Sequence, residues 1–263
     1  MSYKGKKPKV AIGNSLAHCK QVITLGVRTN FSDYKPWEQK LIREAEKIYY
    51  PTSFYADLFK SMGKPTFPSF ECYAYAMDKI KQTTLFNLLN IPHPYTRIFY
   101  GERQKKKILN YFSYPFIAKI PRASALGEGV FLIKNDKDLL EYNRKTKIAY
   151  IQEYLEIEKD IRVVLINYKV VLAYWRIKKQ DEYRCNIAQG AEISFDPVPE
   201  EAIELAIKTS KLCNFNNVGI DICIHNGKLY VLEANMVYGK KGFQKAGIDY
   251  KKLLAEMLER GEI

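Results

Sequence analysis

No stretch of the sequence approaches the ~20 uninterrupted apolar residues that a membrane-spanning helix needs. The basic start, Met1 to Lys9, is followed by no long apolar run, which argues against a secretory leader. Cysteine is sparse. Cys19, Cys72, Cys185, Cys213 and Cys223 lie far apart, and none forms a CxxC pair. An odd, scattered set in a 263-residue chain argues against a disulfide framework. The thiols are expected to be reduced and buried, packing as small hydrophobes, and a cytoplasmic location follows. Neither an internal repeat nor a low-complexity tract is visible. Acidic residues are also in deficit, with 29 Asp and Glu against 42 Lys and Arg, a formal net charge of +13. Such a field attracts nucleic acid, a nucleotide or an acidic substrate, and it also fits a plain lysine-rich surface. No nucleic-acid motif and no aromatic–basic pattern of the stacking type is present, which argues against nucleic acid.

What is present is core material. Hydrophobic residues make up 47%, with 20 Tyr and 13 Phe. That is enough for one large or two to three small packed units. Residues 8–12 and 21–27 read as short strands. Residues 36–48 read as a helix with Trp37, Leu41, Ala45 and Ile48 on one face. Residues 63–70, with two prolines, read as a linker or irregular strand. A helix over 76–89 ends before Pro92. Strands follow at 114–120 and 130–133, then a helix from Asp136 with an acidic first turn. A strand at 149–154 precedes a hairpin, 160–166 and 169–176, around Asn167 and Tyr168. A helix at 199–212 leads to strands 217–224 and 228–234, joined by a tight turn containing Asn226-Gly227. A helix at 248–258 closes the chain. The units are expected at 1–75, 76–150 and 151–263.

Four groups of residues could carry chemistry. Glu233 and Asn235 are two apart and share a strand face. Pairing through the Asn226-Gly227 turn could add Asp221. Two carboxylates and an amide oxygen suit Mg²⁺ or Mn²⁺, and the lack of His or Cys disfavours zinc. The alternative is three exposed polar residues at a strand end, but their neighbours Val218, Ile220, Ile222, Val231, Leu232 and Ala234 are apolar. Lys119 ends an apolar strand and precedes a small-residue loop holding Ser124, Gly127 and Gly129. Such a loop can close backbone N–H groups on phosphate, or be a plain turn. The strand exit Glu153-Tyr154-Leu155 offers backbone groups to an adenine edge, and Asp160 could accept from ribose. A surface acid and an Asp160–Arg162 ion pair are the structural alternative. Arg176 and Arg184 present phosphate-binding forks, or are exposed surface arginines.

The order of these groups resembles the ATP-grasp superfamily, most closely its RimK branch, over about residues 76–258. The resemblance implies an ATP-grasp fold of mixed α/β and α+β class, with a shortened N-terminal α/β unit. It implies that Lys79 and Lys119 contact ATP phosphates and that the loop 123–129 covers them. Glu153, Tyr154 and Leu155 would line the adenine pocket, and Asp160 would hold the ribose. Asp221, Glu233 and Asn235 would bind Mg²⁺ or Mn²⁺. Arg176 and Arg184 would steady the transferred phosphoryl group. The implied activity is ATP-dependent ligation of a carboxylate to an amine through an acyl-phosphate, with amino-acid or glutamate addition as one form. Two departures stand out: the short N-terminal unit, and a basic loop with Lys240 and Lys241 after Asn235. The basic loop points to an anionic small-molecule or peptide substrate. A ligase of a peptide natural-product pathway, a non-catalytic ATP-binding module and a homo-oligomer all stay open.

Overall fold

The computed structural model describes residues 8–122, 129–179, 185 and 190–263. Strands β1 (Lys9–Ala11) and β2 (Val22–Thr24) come first, then helix α1 (Pro36–Glu44). Pro36 pre-sets the first helical φ, and the Glu38 carboxylate accepts from Lys35 N–H at 2.7 Å. The helix stops at Glu44 because Ala45 turns extended (ψ 135). Ile48, expected on the helix, belongs instead to β3 (Ile48–Tyr49), and Trp37 is 53% exposed rather than buried. Helix α2 (Thr52–Ser61) follows, then β4 (Thr66–Phe67) where a linker or irregular strand was expected. The four strands form one parallel sheet in the order β2-β1-β3-β4.

Helix α3 (Phe70–Ala74) leads to α4 (Lys79–Leu88). The latter begins later than the periodicity suggests because Asp78 is its N-cap, accepting from Lys81 N–H at 3.0 Å. Then come β5 (Thr96–Tyr100), α5 (Gly101–Lys105), β6 (Phe116–Lys119), β7 (Val130–Ile133), α6 (Asp136–Lys145) and β8 (Ile148–Glu153). The strands form an antiparallel sheet ordered β5-β8-β6-β7.

The third sheet holds β9 (Lys159–Ile166), β10 (Lys169–Ile177) and β11 (Glu192–Ser194). After α7 (Glu200–Leu212), β12 (Asn217–His225) and β13 (Lys228–Asn235) complete it in the order β11-β10-β9-β12-β13. Asn226 and Gly227 both take positive φ (49 and 71), the two-residue hairpin turn that the dipeptide favours. Helices α8 (Lys241–Lys245) and α9 (Tyr250–Glu259) end the chain.

Two cores fix how the sheets sit together. Ala202 and Ala206 of α7 pack on Ile161, Val163, Val218 and Ile220, and Phe86 from α4 joins them. Leu254, Met257 and Leu258 of α9 pack on Ala11, Tyr49 and Phe67 of the first sheet and on Ile166 of the third. Each large side chain so buried contributes roughly 1.5–3 kcal/mol. All five cysteines are buried free thiols. No helix among the described residues is long and apolar enough to cross a membrane.

One buried cation fastens α5 to α6. The Lys105 ammonium is held by Glu102 (3.0 Å) and by the Asn143 and Thr146 carbonyls (2.8 and 2.6 Å) at the α6 C-terminus. Lys105→Met leaves those carbonyls unpaired and should cost about 2–3 kcal/mol. A urea midpoint equal to wild type would show that the cap is not needed.

Candidate active site

One face of the third sheet carries a row of charges set by strand register. Arg176 on β10 lies opposite Asp160 on β9, and Arg162 lies between Tyr174 on β10 and Asp221 on β12. The Arg176 guanidinium donates to both Asp160 oxygens at 2.7 and 2.6 Å. Arg162 forks onto both Asp221 oxygens at 2.6 Å each. Arg176 also reaches Asp221 at 3.0 Å, and Asn235 donates to it at 2.9 Å. All four charged groups are at least nine-tenths buried. Burial acts to raise the Asp221 pKa, but the two guanidiniums outweigh it and hold the group below the ordinary carboxylate value. Burial lifts Asp160 to about 6 despite Arg176.

Glu233 reaches this row through an irregularity. The Asn226-Gly227 turn sets His225 opposite Lys228 and Ile222 opposite Val231. Continued unbroken, that register would put Asp221 opposite Leu232. A bulge at Leu232 shifts it by one, so Asp221 lies opposite Glu233, and Gly219 opposite Asn235. Leu232 and Glu233 both border the same cavity, as do Ala234 and Asn235 after them. Gly219 lets Tyr238 pack close: a Cβ there would stand 3.0 Å from Tyr238 Cβ and require that side chain to shift by a few tenths of an ångström.

The facing wall comes from α4 and β6. Lys79 N–H donates to the Pro121 carbonyl at 3.0 Å, and Arg122 bonds Asp78 at 3.0 Å, so the start of α4 is tied to the exit of β6. That junction brings Lys79 and Lys119 together. The Lys79 ammonium meets Glu233 at 3.1 Å. Burial lowers the Lys119 pKa to about 8, and nearby Glu233 opposes the shift. Gln82, one turn along α4, grips β13 by donating to the Ala234 carbonyl and accepting from its N–H, at 2.8 and 3.1 Å.

Between these walls lies a cavity of about 980 Å³. Its lining is apolar at Ile117, Val130, Tyr154, Leu155, Ile157 and Leu232, and charged at the groups above. The Glu153 side chain accepts from Tyr95 N–H at 2.6 Å, which folds the turn before β5 against the exit of β8. Lys79, Lys119, Gly129, Glu153, Tyr154, Leu155, Asp160, Arg176, Asp221, Glu233 and Asn235 all border this one cavity. Ser124, Gly127 and Arg184 lie outside the described residues. Sequence reasoning left out Gln82, Tyr174 and, as a site residue, Arg162. The last was within reach, since it is two residues from Asp160 on one strand and so shares its face. The basic loop divides: Lys241 borders the cavity, whereas the Lys240 ammonium sits 4.7 Å over the Tyr250 ring.

Among the described residues no three His, Cys, Asp or Glu side chains form a metal cluster. The candidate donors are two carboxylates and one amide. With a phosphate supplying further oxygens, this all-oxygen set fits a hard divalent ion.

Two antiparallel sheets closed on a cavity with lysines on one wall and carboxylates on the other define an ATP-grasp fold. The chain belongs to the RimK-like ATP-grasp family, whose domain model matches residues 76–258. It is 31% identical over 190 residues to the coenzyme gamma-F420-2:alpha-L-glutamate ligase of Methanococcus maripaludis, covering 69% of this chain and 66% of that protein. The chain thus spans about two thirds of that relative's length. It is 29% identical to the glutamate–LysW ligase ArgX of Sulfolobus acidocaldarius over 80% of both chains. A solved structure of the ATP-grasp ligase PsnB, complexed with minimal precursor, Mg and ADP, shares the fold. Its TM-score is 0.69 at 15% identity, covering 97% of this chain and 98% of that one.

Lys119 carries its charge below about pH 8 and loses it above. Affinity for ATP is therefore expected to fall as pH rises through 8, by at most about tenfold per unit. Calorimetric titration from pH 7 to 9.5 should show this in wild type and not in Lys119→Arg.

Proposed function

We propose that this chain is an ATP-dependent ligase that joins a carboxylate to an amine through an acyl-phosphate. The observation that carries the reading is the cavity itself: apolar lining at a strand exit, and charged lining where Lys79 and Lys119 face Asp221, Glu233 and Asn235. The apolar side chains suit adenine, with backbone groups of Glu153 to Leu155 for its edge. Asp160 keeps lone pairs for a ribose hydroxyl while it holds Arg176. Asp221, Glu233 and Asn235 would hold magnesium or manganese, which would supply positive charge to offset that of the phosphates.

The residues then do three things. The lysines offset charge on the phosphates, and Arg176, whose Nε and Nη2 are fixed by two carboxylates, keeps Nη1 for the transferred group. A substrate carboxylate oxygen attacks the γ-phosphorus, the bond to the bridging oxygen breaks, and ADP leaves. The amine then attacks the acyl carbon and phosphate departs, with the amine proton passing to solvent or phosphate. Positioning and charge neutralisation supply the catalysis, so no nucleophilic side chain is needed. Arg184 and the loop 123–129 keep the phosphate-contacting roles that the family resemblance implies.

The substrates are read as anionic. Lys241 is a cation at the cavity border on the far side of Asn235. The named relatives are glutamate ligases, and the PsnB structure is complexed with a minimal precursor. An amino acid such as glutamate, added to a small molecule or a peptide, fits both points.

Wild type should bind Mg·ATP and release ADP when a panel of amino acids and carboxylates is supplied. Asp221→Ala should lower that release by about a hundredfold or more. Absence of Mg·ATP binding, or release indifferent to Asp221→Ala, rejects the reading. Lys241→Gln should raise KM for the anionic partner about fivefold and leave KM for ATP unchanged.

A further inference from the structure

We propose that the outer edge of β5 is a docking strand for an extended acidic peptide, separate from the nucleotide cavity. β5 is the terminal strand of its sheet. Two hydrogen bonds fix its phase. The Tyr95 carbonyl accepts from Glu153 N–H at 2.9 Å, and Gly101 N–H donates to the Lys147 carbonyl at 3.1 Å. Antiparallel pairs repeat such bonds at alternate residues. Arg97 and Phe99 therefore also bond toward β8, and the N–H and C=O groups of Thr96 and Ile98 point outward. No strand among the described residues pairs with that side. The next outward N–H, that of Tyr100, is taken by the Gln104 side chain at 2.7 Å, which ends the free edge.

The surroundings specify the partner's charge. The chain after β5 folds back over one face, with Phe99 against Tyr111 (5.9 Å) and Tyr95 against Phe112 (5.1 Å). Arg97, Arg103, Lys106 and Lys107 are all exposed along this stretch. Its one acid, Glu102, is taken by Lys105. None of the four exposed cations has a carboxylate partner among the described residues, and Arg97 rests 3.7 Å over the Tyr111 ring. A single charge suffices to keep an open edge from self-pairing. Four of one sign go further: they repel a second copy of this chain and attract an acidic segment. An added strand would place alternate side chains about 5 Å from Arg97, within reach of a carboxylate. A single-stranded nucleic acid fits less well, since it offers no N–H and C=O pairs at strand spacing.

The inference stands apart from the ligase reading and survives its failure. The probe is a fluorescein-labelled Thr-Glu repeat octapeptide, followed by anisotropy with the full chain. Binding is expected, about fivefold weaker for Arg97→Glu and about tenfold weaker when alternate peptide nitrogens are methylated. Saturating Mg·ATP should leave it unchanged, and a Thr-Lys repeat should not bind. Any one of four results overturns the proposal: no binding at millimolar peptide, equal binding of the methylated peptide, indifference to Arg97→Glu, or displacement by Mg·ATP. Tighter binding of oligo(dT) at the same edge would likewise replace the peptide with a nucleic acid.

Discussion

Asp221 sits between two guanidiniums, 2.6 Å from Arg162 and 3.0 Å from Arg176, with almost no water around it. Taking such charges out of water costs several kcal/mol per ion, and only good geometry with full hydrogen bonding offsets it. Much of the third sheet can be understood from that demand. β9 lies centrally because Asp160 and Arg162 must each find an opposite charge on a neighbouring strand, one on β10 and one on β12. Gly219 and Tyr238 fit together beside the row, and Asn235 completes the shell of Asp221. Removing Arg176 would leave Asp160 without its cation, and removing Asp221 would leave Arg162 without its carboxylate, so the row depends on those two members.

The opposite wall belongs to a different sheet, and only a few bonds align it. The start of α4 is fastened to the β6 exit, and Gln82 is fastened to β13. α4 therefore works as a strut between the two sheets. Its first residue, Lys79, spans the cavity to Glu233. Phosphate would arrive where cations and carboxylates already balance closely: Lys79, Lys119, Arg162 and Arg176 against Asp160, Asp221 and Glu233. A metal ion brought with the nucleotide would add positive charge where the phosphates bring negative.

Much of this was legible in the sequence, because hairpins write themselves in alternation and turn residues. Both hairpins of the third sheet, and the grouping of Asp221 with Glu233 and Asn235, follow from spacing. The turn alone would nevertheless have paired Asp221 with Leu232; the correct grouping was reached without seeing the bulge that produces it. The N-terminal sheet was harder. Its β3 and β4 strands are two residues each, too short for any period, and helical spacing absorbed Ile48. Trp37 fell on the apolar face of a predicted helix, yet it is exposed. The difference between Lys240 and Lys241 depends on where Tyr250 lies, which local sequence does not encode. The cationic edge at β5 depends likewise on how residues 101–112 fold back.

The bulge at Leu232 ties chain length in this hairpin to the face that the carboxylate takes. Between the Asn226-Gly227 turn and Glu233 there is one residue more than regular pairing allows. Deleting any one residue there while the bulge closes would leave the carboxylate opposite Asp221, whereas flattening the bulge at constant length would bring Leu232 opposite Asp221 and turn Glu233 to the other face of the sheet. Residue count and bulge are thus coupled: this segment can lose one residue together with the bulge, but a change in either alone turns the carboxylate away from Asp221.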